Sequence, residues 1–387
     1  MTDYNDANSQ YQESETIYRR LATHLDNLPA GFPATDSGVE IRLLKKLFSE
    51  EEAALALHLT LIPENAEVIA YRCGIENEVV ARRLTEMARK GLIYSIEKDG
   101  KPPLYSANQL VIGIWEYHVQ DLDRELIEYM NQYIPHLLKE AWKLPQLRTI
   151  PVEKSLTPKL EVMTYEIADK LLDDHKRFAV APCICRREKK IMGEGCDGPE
   201  ESCLVFDTGA DYYVRNGMGR YISKDDAREI LQRSDDAGLV LQPGNARRAS
   251  NICCCCGCCC GVLRTLKQYP NPAEMVSSPF YVQVDDVLCE GCGICRERCQ
   301  LDALEISDDT ALVKLQRCIG CGLCVTTCPN DAIQLMRKLS AEQVAVARNN
   351  REAYIKLGQK RGKLGPIKII QMLFKSKYDR FMAQRRL

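Results

Sequence analysis

The 387-residue sequence has no apolar run of the roughly 18 residues that a membrane-spanning helix needs. Its start, MTDYNDANSQYQESETIYRR, carries no apolar stretch of the kind found in a signal peptide. Both absences predict a cytoplasmic protein with no transmembrane segment. An excess of one charge is also missing. Lys and Arg total 52 against 54 Asp and Glu, so the net charge of -2 exerts no overall pull toward nucleic acid or membrane. Nucleotide motifs are absent as well: Gly217-Met218-Gly219-Arg220 lacks the third glycine of a dinucleotide turn, and no P-loop occurs. The five histidines, His24, His58, His118, His136 and His175, form no ligand-spaced pair, and His175 is the one nearest a cysteine motif. With no Ser/His/Asp set and no paired carboxylates, independent catalysis is not expected.

What the chain has in quantity is cysteine, twenty in all. A chain of this length needs no disulfide staples, and cytosolic reductants keep thiols reduced, so these residues are expected to hold metal. Their distribution divides the chain. Only Cys73 precedes residue 183, eleven lie from Cys183 to Cys260, and eight lie from Cys289 to Cys328.

Before the cysteines, Ser49-Glu50-Glu51-Glu52 reads as a capping-box helix start. A helix over Ala66 to Cys73 ends at Gly74, and a longer one over Asn77 to Lys90, with Val80, Leu84 and Met87 on one face, ends at Gly91. Leu92 to Ile96, a turn at Asp99-Gly100 and Leu104-Tyr105 then read as two strands. Helix, turn, helix, hairpin resembles the winged helix of MarR-type bacterial regulators. DNA binding is nevertheless not favoured, because Glu76 and Glu78 at the start of the second helix would face phosphate. Cys73 reads as a small buried side chain. From Val111 to about Asp174, Ile127, Met130, Ile134, Leu137 and Leu138 recur at helical spacing and predict a connector, with Trp115, Tyr117 and His118 in the core.

The sharpest signal is Cys289-x2-Cys292-x2-Cys295-x3-Cys299, repeated 29 residues later as Cys318-x2-Cys321-x2-Cys324-x3-Cys328-Pro329. Closely spaced cysteines with Gly291, Gly293, Gly320 and Gly322 between them let a tight loop wrap three corners of a cubane. The pattern resembles the bacterial two-cluster ferredoxins. In that family the last cysteine of each run crosses to the other cluster. The resemblance therefore implies one [4Fe-4S] cluster on Cys289, Cys292, Cys295 and Cys328, and a second on Cys318, Cys321, Cys324 and Cys299. Gln300 departs from the family, which usually has Pro there. Ala303 to Ile306 and Ala311 to Leu315 read as a hairpin, and Arg296-Glu297-Arg298 as the side where a partner docks.

The middle segment runs through Val180-Ala181-Pro182-Cys183-Ile184-Cys185-Arg186-Arg187, Gly195-Cys196 and Ser202-Cys203-Leu204 to Asn251-Ile252-Cys253-Cys254-Cys255-Cys256-Gly257-Cys258-Cys259-Cys260-Gly261. Neighbouring cysteines point in different directions, so they cannot all serve one four-cornered cluster. At least one further metal site is expected, with candidate ligands Cys183, Cys185, Cys196, Cys203, Cys253, Cys255, Cys256, Cys258 and Cys259. Its occupant reads as an additional [4Fe-4S] cluster, with zinc or a bare redox dithiol as the alternatives. A helix from Ser223 to about Arg233 and a strand over Gly238 to Leu241 would bring the cysteine groups together. The whole chain resembles 4Fe-4S dicluster-domain proteins of anaerobes, through its CxCR, CL and CCxCC elements.

After Arg337 the chain carries thirteen Lys and Arg against three acids. Ile367, Ile370, Phe374, Tyr378 and Phe381 share one helical face, rimmed by Lys368, Lys375, Lys377, Arg380, Arg385 and Arg386. Such a helix can pack on its own protein, lie on an anionic membrane or grip an acidic partner. The expected architecture is a multidomain α+β chain. It comprises a leader (1–36), a winged-helix-like domain (37–109), connector helices (110–174), a Cys-rich α/β domain (175–265), a two-[4Fe-4S] ferredoxin fold (280–337) and a basic helical tail (338–387). The expected role is electron transfer as a subunit or partner of an oxidoreductase. The alternative is a redox-responsive regulator that uses the winged helix.

Overall fold

A computed structural model describes residues 15–385, so residues 1–14 of the expected leader and Arg386 lie outside the described part. The chain forms two compact units, one from the residues up to Lys143 together with those from Tyr354, the other from Leu144–Ala353.

In the first unit, the Ser49 hydroxyl accepts from the Glu52 N–H (3.2 Å) while the Glu52 carboxylate accepts from the Ser49 N–H (2.9 Å), starting the helix Glu50–Ala56. Asn65 caps Ala66–Cys73, which Gly74 ends in the left-handed region at φ 71°. The helix Asn77–Arg89 buries Val80, Leu84 and Met87 completely. Strands β1 (Tyr94–Lys98) and β2 (Lys101–Ser106) then pair antiparallel around Asp99-Gly100. Asp123 caps a long helix, Arg124–Ala141, whose buried stripe includes Ile127, Met130, Ile134, Leu137 and Leu138. Trp115 and His118 are buried, the His118 ring lying 2.7 Å from the Ile114 carbonyl oxygen.

The tail helix Pro366–Gln384 belongs to this unit and packs on Ala66–Cys73, but not by its apolar stripe. Ser376, Asp379 and Ala383 are buried, whereas Ile367, Ile370, Phe374, Tyr378 and Phe381 are exposed. The polar face wins because it completes a buried ion cluster. Arg72 donates to Asp379 (2.6 Å) and to Glu64 (2.8 Å), and the Ser376 hydroxyl donates to the same Glu64 oxygen (2.6 Å).

In the second unit, strands β3 (Phe178–Pro182), β4 (Glu201–Phe206), β5 (Arg220–Ile222), β6 (Val240–Pro243) and β8 (Asn251–Cys255) form an antiparallel sheet in the order β5-β3-β4-β8-β6. The short β7 (Ala246–Arg248) lies outside this sheet. The helix Lys224–Asp236 begins with a second capping box, between Ser223 and Asp226. Strand β9 (Phe280–Val284) is followed by a hairpin of β10 (Leu304–Ser307) and β11 (Thr310–Val313), and β9 pairs with β12 (Ile333–Arg337).

Two expected boundaries move. The connector is not helical through residue 174. Past Trp142 the prolines Pro145, Pro151 and Pro158 remove the N–H groups that a helix needs, and the extended chain binds the second unit instead. Arg148 and Ile150 donate to the carbonyls of Pro243 and Leu241 on β6, and Val152 donates to the Cys321 carbonyl (3.0 Å). The tail is also divided: β13 (Ala347–Asn349) pairs parallel with β7, so residues 338–353 belong to the second unit.

Arg72→Met removes the buried cation between Glu64 and Asp379 and leaves them only the more exposed Arg380 (3.7 Å from Glu64) and Lys375 (3.4 Å from Asp379), and should cost the first unit about 3–5 kcal/mol. Both tryptophans, Trp115 and Trp142, lie in that unit, so urea unfolding followed by tryptophan fluorescence reads the loss directly. An unchanged midpoint would refute the cluster's role.

Candidate metal centres

The duplicated cysteine runs adopt matching backbone geometry. Gly291 and Gly320, each the second residue after a run's first cysteine, have φ 63° and 62°. A β-carbon at either would meet a backbone carbonyl oxygen, that of Asp309 at 2.5 Å or of Phe280 at 2.2 Å. Asp302 and Asp331, three residues after the last cysteines, both take left-handed φ of 55° and 52°. Each turn aims the next N–H back at sulfur: Ala303 donates to Cys299 Sγ (3.2 Å) and Ala332 to Cys328 Sγ (3.3 Å). Ala311 donates to Cys289 Sγ (3.4 Å). Backbone N–H groups turned on sulfur stabilise a thiolate, the form that binds metal.

Cys299, Cys318, Cys321 and Cys324 line one cavity with Val282, Leu304 and Leu323. Burial pushes the Cys321 thiol up to about 12 and raises Cys318 and Cys324 as well. Four thiols converging where water is scarce fit a cationic inorganic cluster better than free ionisation. Cys289 and Cys292 face Cys295 closely enough to act on its ionisation. The Cys328 turn adjoins their loop: Asp285 donates to the Ala332 carbonyl (2.7 Å) and the Asn330 amide to that of Leu288 (3.3 Å).

In the middle segment, sheet register decides which thiols meet. Cys203 on β4 lies directly opposite Cys253 on β8. Alternation puts Cys255 on the same face as Cys253 and Cys254 on the other. Cys183 caps the helix Ile184–Ile191, Cys185 lies in its first turn, and Cys260 caps Gly261–Lys267. The six join through side-chain contacts in the order Cys183, Cys185, Cys260, Cys255, Cys253, Cys203. Contact with Cys185 and Cys255 holds Cys260 well below the usual thiol range, and the N–H groups of Leu263 and Val262 assist.

Cys196, Cys256, Cys258 and Cys259 form a separate quartet whose sulfurs all lie within 4.8 Å of one another. Burial opposes the Cys196 thiolate, but the Gly198 N–H and the thiols of Cys259, Cys258 and Cys256 outweigh it and bring the group down to about 7. Burial pushes Cys256 up to about 11. Of the nine residues expected to ligate in this segment, five therefore fall in the chain of six and four in the quartet. Cys260 was not among them, although its place at a helix start two residues past Cys258 carried the signal. Cys254, buried on the opposite face, is pushed up to about 12 by desolvation.

Two side chains tie these groups to their surroundings. Buried Arg186, next to Cys185, donates to Pro199 O (2.9 Å), the Ser202 hydroxyl (2.5 Å) and Cys254 O (3.0 Å). Despite its burial, the thiols of Cys183, Cys256 and Cys255 raise its pKa, so one cation serves both groups. Gln300, the departure from the ferredoxin pattern, accepts from the Gly257 N–H (2.6 Å). A β-carbon at Gly257 would stand 2.3 Å from the Gln300 carbonyl oxygen, so glycine is needed for this approach. His175 lies apart from the thiols, its Nδ1 2.8 Å from Asp207 and its ring stacked on Phe206.

Among known protein families, the 4Fe-4S binding domain matches residues 312–334, a stretch that contains Cys318, Cys321, Cys324 and Cys328. No curated protein and no solved structure matches the chain. The match and the cysteine grouping make this an iron-sulfur protein with at least one [4Fe-4S] cluster. No helix among the described residues is long and apolar enough to cross a membrane.

If the four cysteines that line this cavity hold one cluster, Cys299→Ala removes it, lowering bound iron by about four atoms per chain and deleting one set of reduced-state EPR signals. Iron content equal to that of the unaltered chain would overturn the crossed assignment.

Proposed function

We propose that this chain is an electron-transfer protein carrying two ferredoxin-type [4Fe-4S] clusters, on Cys289, Cys292, Cys295 and Cys328 and on Cys318, Cys321, Cys324 and Cys299. The chain of six thiols in the middle segment holds a third iron-sulfur centre, and the protein works as a subunit or partner of an oxidoreductase. When bound, such clusters supply reversible one-electron storage.

The observation that carries this reading is the unequal exposure of the two cysteine runs. Cys292 is exposed, and Val287 (93% exposed), Leu288 and Ile294 stand around it in solvent. Cys295 of the first run and Cys324 of the second are both buried, but in the second run Cys318 is buried too and Ile319 and Leu323 are enclosed. One end of the module thus offers a small apolar surface with Arg296 and Glu297 at its edge, suited to brief docking of a redox partner. Arg298, expected on that docking side, instead donates to the carbonyls of Asp235 and Asp236. The opposite end excludes water and leads, through the Gln300 contact with Gly257, into the Cys-rich loop.

The regulatory alternative has less support. Glu76 and Glu78 are exposed at the start of Asn77–Arg89, Arg83 pairs with Glu51 (2.9 Å), and Lys90 pairs with Glu52 (2.6 Å). Those contacts take up cations that phosphate would need. The winged-helix-like unit is read as a scaffold, and contact of the basic tail with an anionic membrane is left to the exposed stripe Ile367 to Phe381.

Replacing Val287 and Ile294 together by Glu should slow reduction by a low-potential oxidoreductase by about tenfold, the effect of roughly 1.4 kcal/mol on docking. Reduction by dithionite, which needs no docking surface, should give an unaltered EPR spectrum. Equal stopped-flow rates with the protein donor would refute this docking face.

A further inference from the structure

We propose that Cys196, Cys256, Cys258 and Cys259 bind a single zinc ion, in a closed tetrahedral site separate from every iron-sulfur centre of the chain. The argument is one of size. Four thiolates at about 2.3 Å from one ion stand about 3.8 Å apart along the edges of the tetrahedron. The sulfurs of Cys196 and Cys256 are 3.8 Å apart, those of Cys258 and Cys259 3.8 Å, and those of Cys259 and Cys196 3.6 Å. A cubane puts a different iron behind each thiolate and so needs a wider spread. Among the described residues, this is the group whose ligand atoms draw together within 4.8 Å.

The surroundings suit such an ion. The Gly198 N–H points at Cys196 sulfur, the Cys259 N–H at Cys256 and the Cys196 N–H at Cys259, which spreads the thiolate charge over the backbone. Four thiolates on a divalent ion leave a net charge of minus two, and the Arg186 guanidinium touching Cys256 offsets part of it. Arg264 fixes the far side, bonded to the Cys259 carbonyl (3.1 Å) and to buried Glu188 (3.2 Å). With four protein ligands no position is open for substrate, so the ion is structural. It fastens the loop bearing Cys196 to the turn from Cys256 to Cys259, and thereby sets Cys255 and Cys260, which flank that turn, toward the chain of six thiols.

This inference does not rest on the electron-transfer reading, and its test keeps the two apart. The full chain is purified without oxygen and its zinc, iron and sulfide are counted. About one zinc per chain is expected, with zinc X-ray absorption giving four sulfur neighbours at about 2.3 Å. Cys258→Ser, at the exposed ligand, should lower zinc retention against a chelator at least about tenfold while iron and sulfide stay constant. A chain without zinc, or a zinc spectrum with nitrogen or oxygen neighbours, would overturn the proposal. So would a Cys258→Ser chain that loses about four irons, because the quartet would then serve a cubane. The absorption measurement uses the unaltered chain, so misfolding of the variant does not rescue the idea.

Discussion

Sulfur charge in a dry place is the constraint on which the second unit depends. A thiolate removed from water is unstable unless a cation or a set of donors faces it, and burial, with neighbouring thiols adding to it, drives the thiols of Cys321 and Cys254 up to about 12. The chain answers this twice. Around the duplicated runs it turns backbone N–H groups onto Cys289, Cys299 and Cys328. In the middle segment it buries Arg186 between two thiol groups and holds it there with two carbonyls and the Ser202 hydroxyl. In the proposed centres metal would supply the remaining positive charge and occupy thiolates that an outside oxidant would otherwise pair.

The same constraint explains the unusual backbone. Bringing a donor onto sulfur requires the chain to reverse within three residues, and Asp302 and Asp331 accept left-handed conformations to do so. Wrapping three sulfurs in one loop leaves no room for a side chain at Gly291 or Gly320, each of which lies against a carbonyl. These features recur in both halves, so the duplication is one of geometry as well as of sequence. Where the halves differ, the difference is one of exposure. Cys292 meets solvent, while the equivalent loop around Cys321 is covered by Val152 and Ser155, residues that a helical connector would have carried elsewhere.

Local features of this fold were open to reading from the sequence. Capping boxes at Ser49 and Ser223, the glycine stops and the spacing of the ferredoxin cysteines all act within a few residues, and the helices and hairpins appear near where they were expected. Long-range pairing was not open in the same way. Nothing near Cys203 announces that it faces Cys253, because that follows from the register of β4 on β8, fifty residues apart in the chain. Separation of the eleven middle cysteines into six, four and one follows from that register and from two helix starts. The tail was legible in part: the sequence shows an apolar stripe but not what it meets, and Arg72 and Glu64 reward burial of Ser376 and Asp379 on the opposite side.

Gln300 links these arguments. A proline at that position would have no side-chain acceptor, and the Gly257 N–H would lose the partner that fixes the turn of Cys256 to Cys259. The residue is thus a departure from the ferredoxin pattern with a physical use, joining the end of one cysteine run to the middle of another. Because Gly257 admits no side chain against the Gln300 carbonyl, the contact is specified from both sides. The thiol groups of the second unit are therefore held as one connected assembly, in which Cys299 adjoins the residue that fixes the loop of Cys256 to Cys259.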